Sequence, residues 1–227
     1  MKTFQDFIQE GVNDPGIFKA FYTAGGPGSG KSYVARESGA GKISPYGLKI
    51  IDSDPLFTKM LKDVGMATTP EDIYSDEGQA MRDKAKGLIS KQKDTYMEGR
   101  LGLLIDGTGK DYNKIKKSSD KLRGIGYDTY MIFVNTSLDV ALQRNETRRR
   151  SLDEDEVKKM WDAVQKNMGK FQSYFGRSNF LLVDNNSAGE DVFTKVFVEI
   201  GKLIDTKPTS RAATAWIKNQ HAINRRG

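Results

Sequence analysis

Cysteine is absent from this chain, and histidine occurs once, at His221. Disulfides and thiolate chemistry are excluded, and an imidazole-built metal site goes with them. No run of about 18 apolar residues occurs, so no segment is expected to span a membrane. The N-terminus lacks the apolar stretch of a secretory signal, which points to the cytoplasm. Acidic residues are missing only at one end: residues 206–227 carry five basic side chains and no acidic one, against a net charge of +6 for all 227 residues. The pI near 9.3 therefore belongs mostly to this tail. It argues for no nucleic-acid channel through the body. With 37% apolar residues and 10% aromatic ones, the chain has enough to fill a core.

What is present is a loop. Gly25-Gly26-Pro27-Gly28-Ser29-Gly30-Lys31-Ser32 fits G-x-x-x-x-G-K-[ST] at each fixed position. Ile17 to Ala24 before it is apolar and β-prone, and Tyr33 after it opens a helix. Strand, glycine loop, helix is the context the motif requires. Glycines let backbone N–H groups curl around phosphate oxygens, and the helix aims its positive end at the same anion. Residues 25–33 are thus the expected nucleotide set for ATP. Lys31 is expected at the β- and γ-phosphates, and the Ser32 hydroxyl on Mg²⁺.

Apolar runs at 48–51, 101–105, 129–134 and 180–183 follow, separated by helical stretches at 55–64, 75–99, 112–122, 137–150, a capping-box start at Ser151 running through Met168, and 192–204. Residues 66–72 read as a polar loop. Strands alternating with helices predict an α/β domain, a five-stranded parallel sheet with helices on both faces. The expected division is 1–15 as an N-terminal helical segment, 16–205 as the domain, and 206–227 as a basic tail. In the tail, Ala213, Trp216 and Ile217 share one face of a helix.

Asp106 follows the buried run 103–105, where a Walker-B-like acid would position Mg²⁺; a turn-forming role before Gly107 is the alternative. Asp52 and Asp54 end the second strand, at the edge where ligands bind. Either suits the proton acceptor of a phosphoryl transfer; Asp54 is favoured, although Pro55 after it also makes it a natural helix cap. Arg144 and Arg148 lie four apart on one helical face, as an arginine lid over phosphates would need. A solvated basic face countered by residues 153–156 is the alternative.

Together these residues resemble the zeta-toxin and polynucleotide-kinase branch of P-loop kinases. Ile51-Asp52-Ser53-Asp54-Pro55 looks like the zeta-toxin strand end that carries its catalytic aspartate, which the match places on Asp54. Leu104-Ile105-Asp106-Gly107-Thr108-Gly109 is similar to that family's Glu-Gly-Thr-Gly segment, with Asp106 for glutamate. Arg144-Asn145-Glu146-Thr147-Arg148 resembles the lid of phage polynucleotide kinase. The resemblance implies an ATP- and Mg²⁺-dependent phosphotransferase acting on a hydroxyl of a nucleic acid or a nucleotide-sugar. The polynucleotide kinase's arginine just after its aspartate is replaced here by Pro55-Leu56-Phe57. An ATP-binding switch acting through the basic tail is the rival expectation. Residues 1–10 resemble the capsid-targeting peptides of T-even-type phage head proteins, ending at Ile8-Gln9-Glu10; this implies packaging in a virion and cleavage before Gly11.

Overall fold

The strand that precedes the glycine loop is the centre of the sheet. In the computed structural model, which describes residues 11–34, 47–147, 152–187 and 190–225, strand β1 (Lys19–Ala24) is buried along its whole length. β2 (Lys49–Ile51), β3 (Leu103–Ile105), β4 (Asp128–Asn135) and β5 (Phe180–Asp184) complete a sheet of order β2-β3-β1-β4-β5. Every pairing is parallel. A strand buried on both faces needs no polar side, which is why β1 and β4 read as near-continuous apolar runs. One face of the sheet carries Ala20, Tyr22, Leu103, Met131 and Phe133. The other carries Phe21, Leu104, Tyr130, Ile132 and Val134.

Helices α1 (Asp54–Asp63), α2 (Pro70–Tyr74) and α3 (Asp76–Glu98) lie between β2 and β3. α4 (Tyr112–Gly124) joins β3 to β4, and α5 (Leu138–Glu146) and α6 (Glu154–Phe175) join β4 to β5. α7 (Glu190–Asp205) and α8 (Arg211–Asn224) follow β5. Most starts are where capping chemistry puts them: Ser75, Asp111, Ser137 and Ser210 each accept a backbone N–H of the first turn. Two expectations change. Residues 66–72 are not all loop, because Thr69 caps and Pro70 opens α2. α6 is capped by Asp153, whose side chain accepts the Asp155 N–H, and not by a box at Ser151. It also runs past Met168 to Phe175, since Phe171 and Phe175 are buried in the core. Residues 1–10, with the proposed targeting peptide, and Arg148 to Ser151 lie outside the described residues.

The connection after β1 leads towards β2 and that after β4 leads towards β5, on opposite sides. Such a reversal opens a crevice at the carboxyl ends of the strands. At the opposite pole, Phe18 and Arg100 both hold φ of 58°, a conformation costing a bulky side chain roughly 1–2 kcal/mol. They are neighbours: the Phe18 N–H donates to the Arg100 carbonyl at 2.9 Å. Trp216 of α8 meets the Phe18 ring edge-on at 5.5 Å. α8 reaches this far because Gly126 has no side chain; a Cβ there would lie 2.9 Å from the Ala213 nitrogen. Lys19, 1% exposed, ties the preceding segment down through Asp128 and Thr206, both at 2.8 Å. Trp216→Ala is expected to cost about 2–3 kcal/mol, read as a lower urea midpoint with unchanged slope. A midpoint equal to the parent's would mean α8 is dispensable to the fold.

Candidate active site

The glycine loop is held in shape from three sides. Gly25 donates its N–H to the Thr108 carbonyl at 3.1 Å, and a Cβ on it would lie 2.5 Å from Ser29 Oγ. Gly28 and Gly30 take φ of +72° and +84°, which only glycine adopts cheaply. Arg144, from α5, donates through one Nη to Gly28 O at 3.0 Å and through the other to Asn185 O at 2.8 Å. Asn185, just past β5 and buried, donates Nδ2 to Ser29 O at 2.7 Å. Trp161 of α6 lies against Gly26 and gives its indole N–H to Thr136 O. The carbonyls of Gly28 and Ser29 are thus tied outwards. Among the described residues the N–H groups of Gly26, Gly28 and Gly30 have no acceptor. Orphaned amides on a glycine curl suit a phosphate chain.

Lys31 opens the helical turn at 31–34 and pairs with Asp106 at 2.8 Å, the two side chains being 13% and 12% exposed. Thr23 Oγ1 donates to Asp106 at 2.6 Å and accepts the Gly107 N–H at 3.2 Å. Asp106 is therefore fixed between the end of β1 and its own loop. Asn167 of α6 steadies that loop further by donating to the Gly109 and Lys110 carbonyls. Asp52 lies close enough to sense the Asp106 and Lys31 charges. Burial above all raises its pKa; the Asp106 and Asp54 charges push the same way, and the Asp54 N–H and Lys31 oppose them. Its Oδ1 accepts the Asp54 N–H at 2.9 Å. Ser53 is the N-cap residue of α1 and makes no side-chain cap, so the Asp54 carboxylate, exposed in the first turn, is not consumed by capping.

The structure thus brings together the loop, Lys31, Asp106, Asp52 and Asp54. Ser32 is exposed at the start of the turn. Two residues sit otherwise than expected. Tyr33 packs its ring on Phe193 at 4.6 Å and gives its N–H to Gly30 O, so the apolar core claims it. Arg144 grips loop carbonyls and acts as a brace, because two diverging acceptors lie within its fork. Arg148 is outside the described residues. Sequence reasoning missed Asn185, Trp161 and Asn167. Asn185 had one signal, its place just after an apolar strand at the ligand edge; the other two had none. Arg144→Lys keeps the charge but cannot span both carbonyls. ATP affinity is expected to fall about 10-fold, measured by calorimetry with a nonhydrolysable analogue; equal affinity would remove the brace.

Among the described residues no group of three acidic or imidazole side chains could enclose a metal alone. Asp106 and Ser32 beside a phosphate loop still fit Mg²⁺, which keeps several waters and takes its other oxygens from phosphates.

The model of the zeta toxin family matches residues 19–192. No curated protein matches the chain in sequence. Among solved structures, the PezAT chromosomal toxin–antitoxin system of Streptococcus pneumoniae superposes with a TM-score of 0.54 at 15% identity, over 90% of this chain and 97% of that one. Shikimate kinase from Bacteroides thetaiotaomicron gives 0.51 at 12%, over 82% and 98%. The AvrRxo1-ORF1:-ORF2 complex with ATP gives 0.54 at 13%, over 91% and 72%. At these identities the likeness is one of fold alone.

Proposed function

The chain belongs to the zeta toxin family, and on that premise we propose that this kinase moves the γ-phosphoryl group of ATP to a hydroxyl, with Mg²⁺. The observation that carries the reading is the Lys31–Asp106 pair, 2.8 Å apart, set between a phosphate loop with orphaned amides and the two carboxylates ending β2. The loop amides and Lys31 hold the phosphates and offset the charge on the equatorial oxygens of the transition state. Ser32 and Asp106 would hold Mg²⁺, which when bound supplies further neutralisation of phosphate charge. Asp54 takes the acceptor's proton as its oxygen bonds to the γ-phosphorus; the bond to the β-phosphate oxygen breaks, and ADP leaves. Asp52 tethers the first turn of α1 that carries Asp54.

Transfer of labelled γ-phosphate to 5′-hydroxyl DNA and RNA, nucleotide-sugars and nucleosides tests the reading. Label on one class supports it and names the acceptor; label in free phosphate alone would overturn it. That second outcome would favour an ATP-driven switch. The switch loses its free arm, however, because α8 is seated on the domain through Ala213, Trp216 and Ile217. Packaging into a phage head rests on residues 1–10 alone, and mature protein beginning at Gly11 would support it.

A further inference from the structure

The basic end of the chain is a seated helix, and its outward face carries charge that the fold does not use. α8 buries Ala213 and packs Trp216 and Ile217 against the core. Arg211, Lys218 and Arg225 are exposed. They stand seven apart, so they form one nearly straight row on the helix, about 21 Å long at about 1.5 Å per residue. Arg225, the C-cap residue, still has helical φ and ψ. Ala215 and Ala222, also exposed, lie beside the row, so no bulk stands between it and a partner. None of the three cations has a carboxylate partner among the described residues. Arg211 opens the helix, where the dipole disfavours a cation. Two further basic side chains, Arg123 and Lys207, line an open cleft of about 530 Å³ at the head of α8, with the hydroxyls of Ser178, Thr209 and Ser210. The acid lining that cleft, Asp128, is paired with Lys19 at 2.8 Å.

We propose that this face of α8 holds the phosphate backbone of a duplex nucleic acid, whatever its base sequence. A row of unanswered cations on a rigid helix suits a polyanion of uniform charge, and about six phosphates of one strand pass along its length. The choice among polyanions follows from what α8 lacks. Single strands are held on aromatic platforms where bases stack, and the aromatic ring of α8, Trp216, is closed against Phe18 at 5.5 Å. A bilayer would need an apolar face to enter it; of α8's apolar side chains only alanines and Ile223 are exposed. An acidic partner helix would need apolar anchors to seat it, and the row offers none. α8 lies at the pole of Phe18 and Arg100, away from the glycine loop, so a duplex held there leaves the active-site crevice open. The surface is a tether and not an acceptor site, and it stands independently of the kinase reading.

Fluorescence anisotropy tests the tether, with the full chain and a labelled DNA duplex phosphorylated at both 5′ ends, so that no 5′-hydroxyl is offered to the active site. Three phosphate contacts predict a slope of about −2.7 in log K against log salt, a loss of about 40-fold between about 50 and 200 mM. Arg211→Gln, Lys218→Gln and Arg225→Gln should each take about 1 off that slope and weaken every duplex sequence alike. Lys218→Arg should bind as the parent does, and Lys84→Gln, on the exposed face of α3, should leave the slope unchanged. The variant carrying all three glutamines should transfer phosphate to a small acceptor as the parent does. In amide ¹H–¹⁵N spectra of the parent, duplex should shift residues 207–225, a readout that does not depend on any variant folding. The proposal is overturned if the triple variant binds duplex as tightly as the parent or if the shifts lie elsewhere. Tighter binding to phosphatidylserine vesicles or to a single strand than to duplex would overturn it equally.

Discussion

Lys31→Met is expected to lower phosphoryl transfer by about 1,000-fold or more, while the chain stays folded by circular dichroism. The size follows from what the ammonium does in each state. It is bonded to both Asp106 oxygens, at 2.8 and 3.1 Å, and its charge is offset. In the transition state charge builds on the oxygen between the β- and γ-phosphates as ADP leaves, so the same ammonium is worth more there than in the ground state. Removing it also strands Asp106, 12% exposed, beside Asp52 with only the Thr23 hydroxyl as a side-chain partner among the described residues. A stability loss of about 1–3 kcal/mol is expected from that carboxylate. Lys31→Met with Asp106→Asn separates the two roles: stability should return, because no buried charge is left, and activity should not. Urea unfolding and single-turnover transfer read the two effects. A single variant that keeps even a tenth of parental turnover would take Lys31 out of the chemistry.

The parts of the site legible in the sequence are those fixed by local chemistry. The glycine loop announces itself because each position answers to a backbone need within eight residues. Asp106, Asp52 and Asp54 could be placed because apolar runs end just before them. The helix starts at Ser75, Ser137 and Ser210 follow from hydroxyls that accept an N–H three residues on. What was not legible depends on residues far apart in the chain. Arg144 looks like a lid arginine until its two acceptors, Gly28 and Asn185, are seen to converge on it. Trp161 and Asn167 look like ordinary polar-face and core positions, yet they brace the two loops that bear Lys31 and Asp106. The strained pair Phe18 and Arg100 gives no local signal at all, since neither residue is one that favours positive φ. α6 begins after Asp153, whose side chain accepts the Asp155 N–H, because two polar residues near this point both have the chemistry of a cap and the sequence does not rank them.

Asp54→Asn is expected to lower kcat by about 100- to 10,000-fold with ATP affinity unchanged. The amide keeps the shape of the side chain and removes its basicity, and Asp54 takes no part in capping α1 that its loss would disturb. Asp52→Asn is a different experiment. Its amide oxygen can still accept the Asp54 N–H, so the first turn of α1 keeps its tether and only the charge is lost. Because burial raises the Asp52 pKa, this group gains its proton at a higher pH than an ordinary aspartate. On acidification the site therefore loses a negative charge facing Lys31 and Asp106 earlier than reference values imply. The variant reproduces that protonated state at every pH. Its kcat at neutral pH should stay near the parent's, and the acid limb of its kcat/KM profile should move to lower pH. The two profiles assign the roles. A loss of kcat confined to Asp54→Asn leaves Asp54 as the proton acceptor, with Asp52 tuning the charge around it. A loss of the same size confined to Asp52→Asn, with Asp54→Asn near parental, would reverse the pair and move the base to the buried carboxylate.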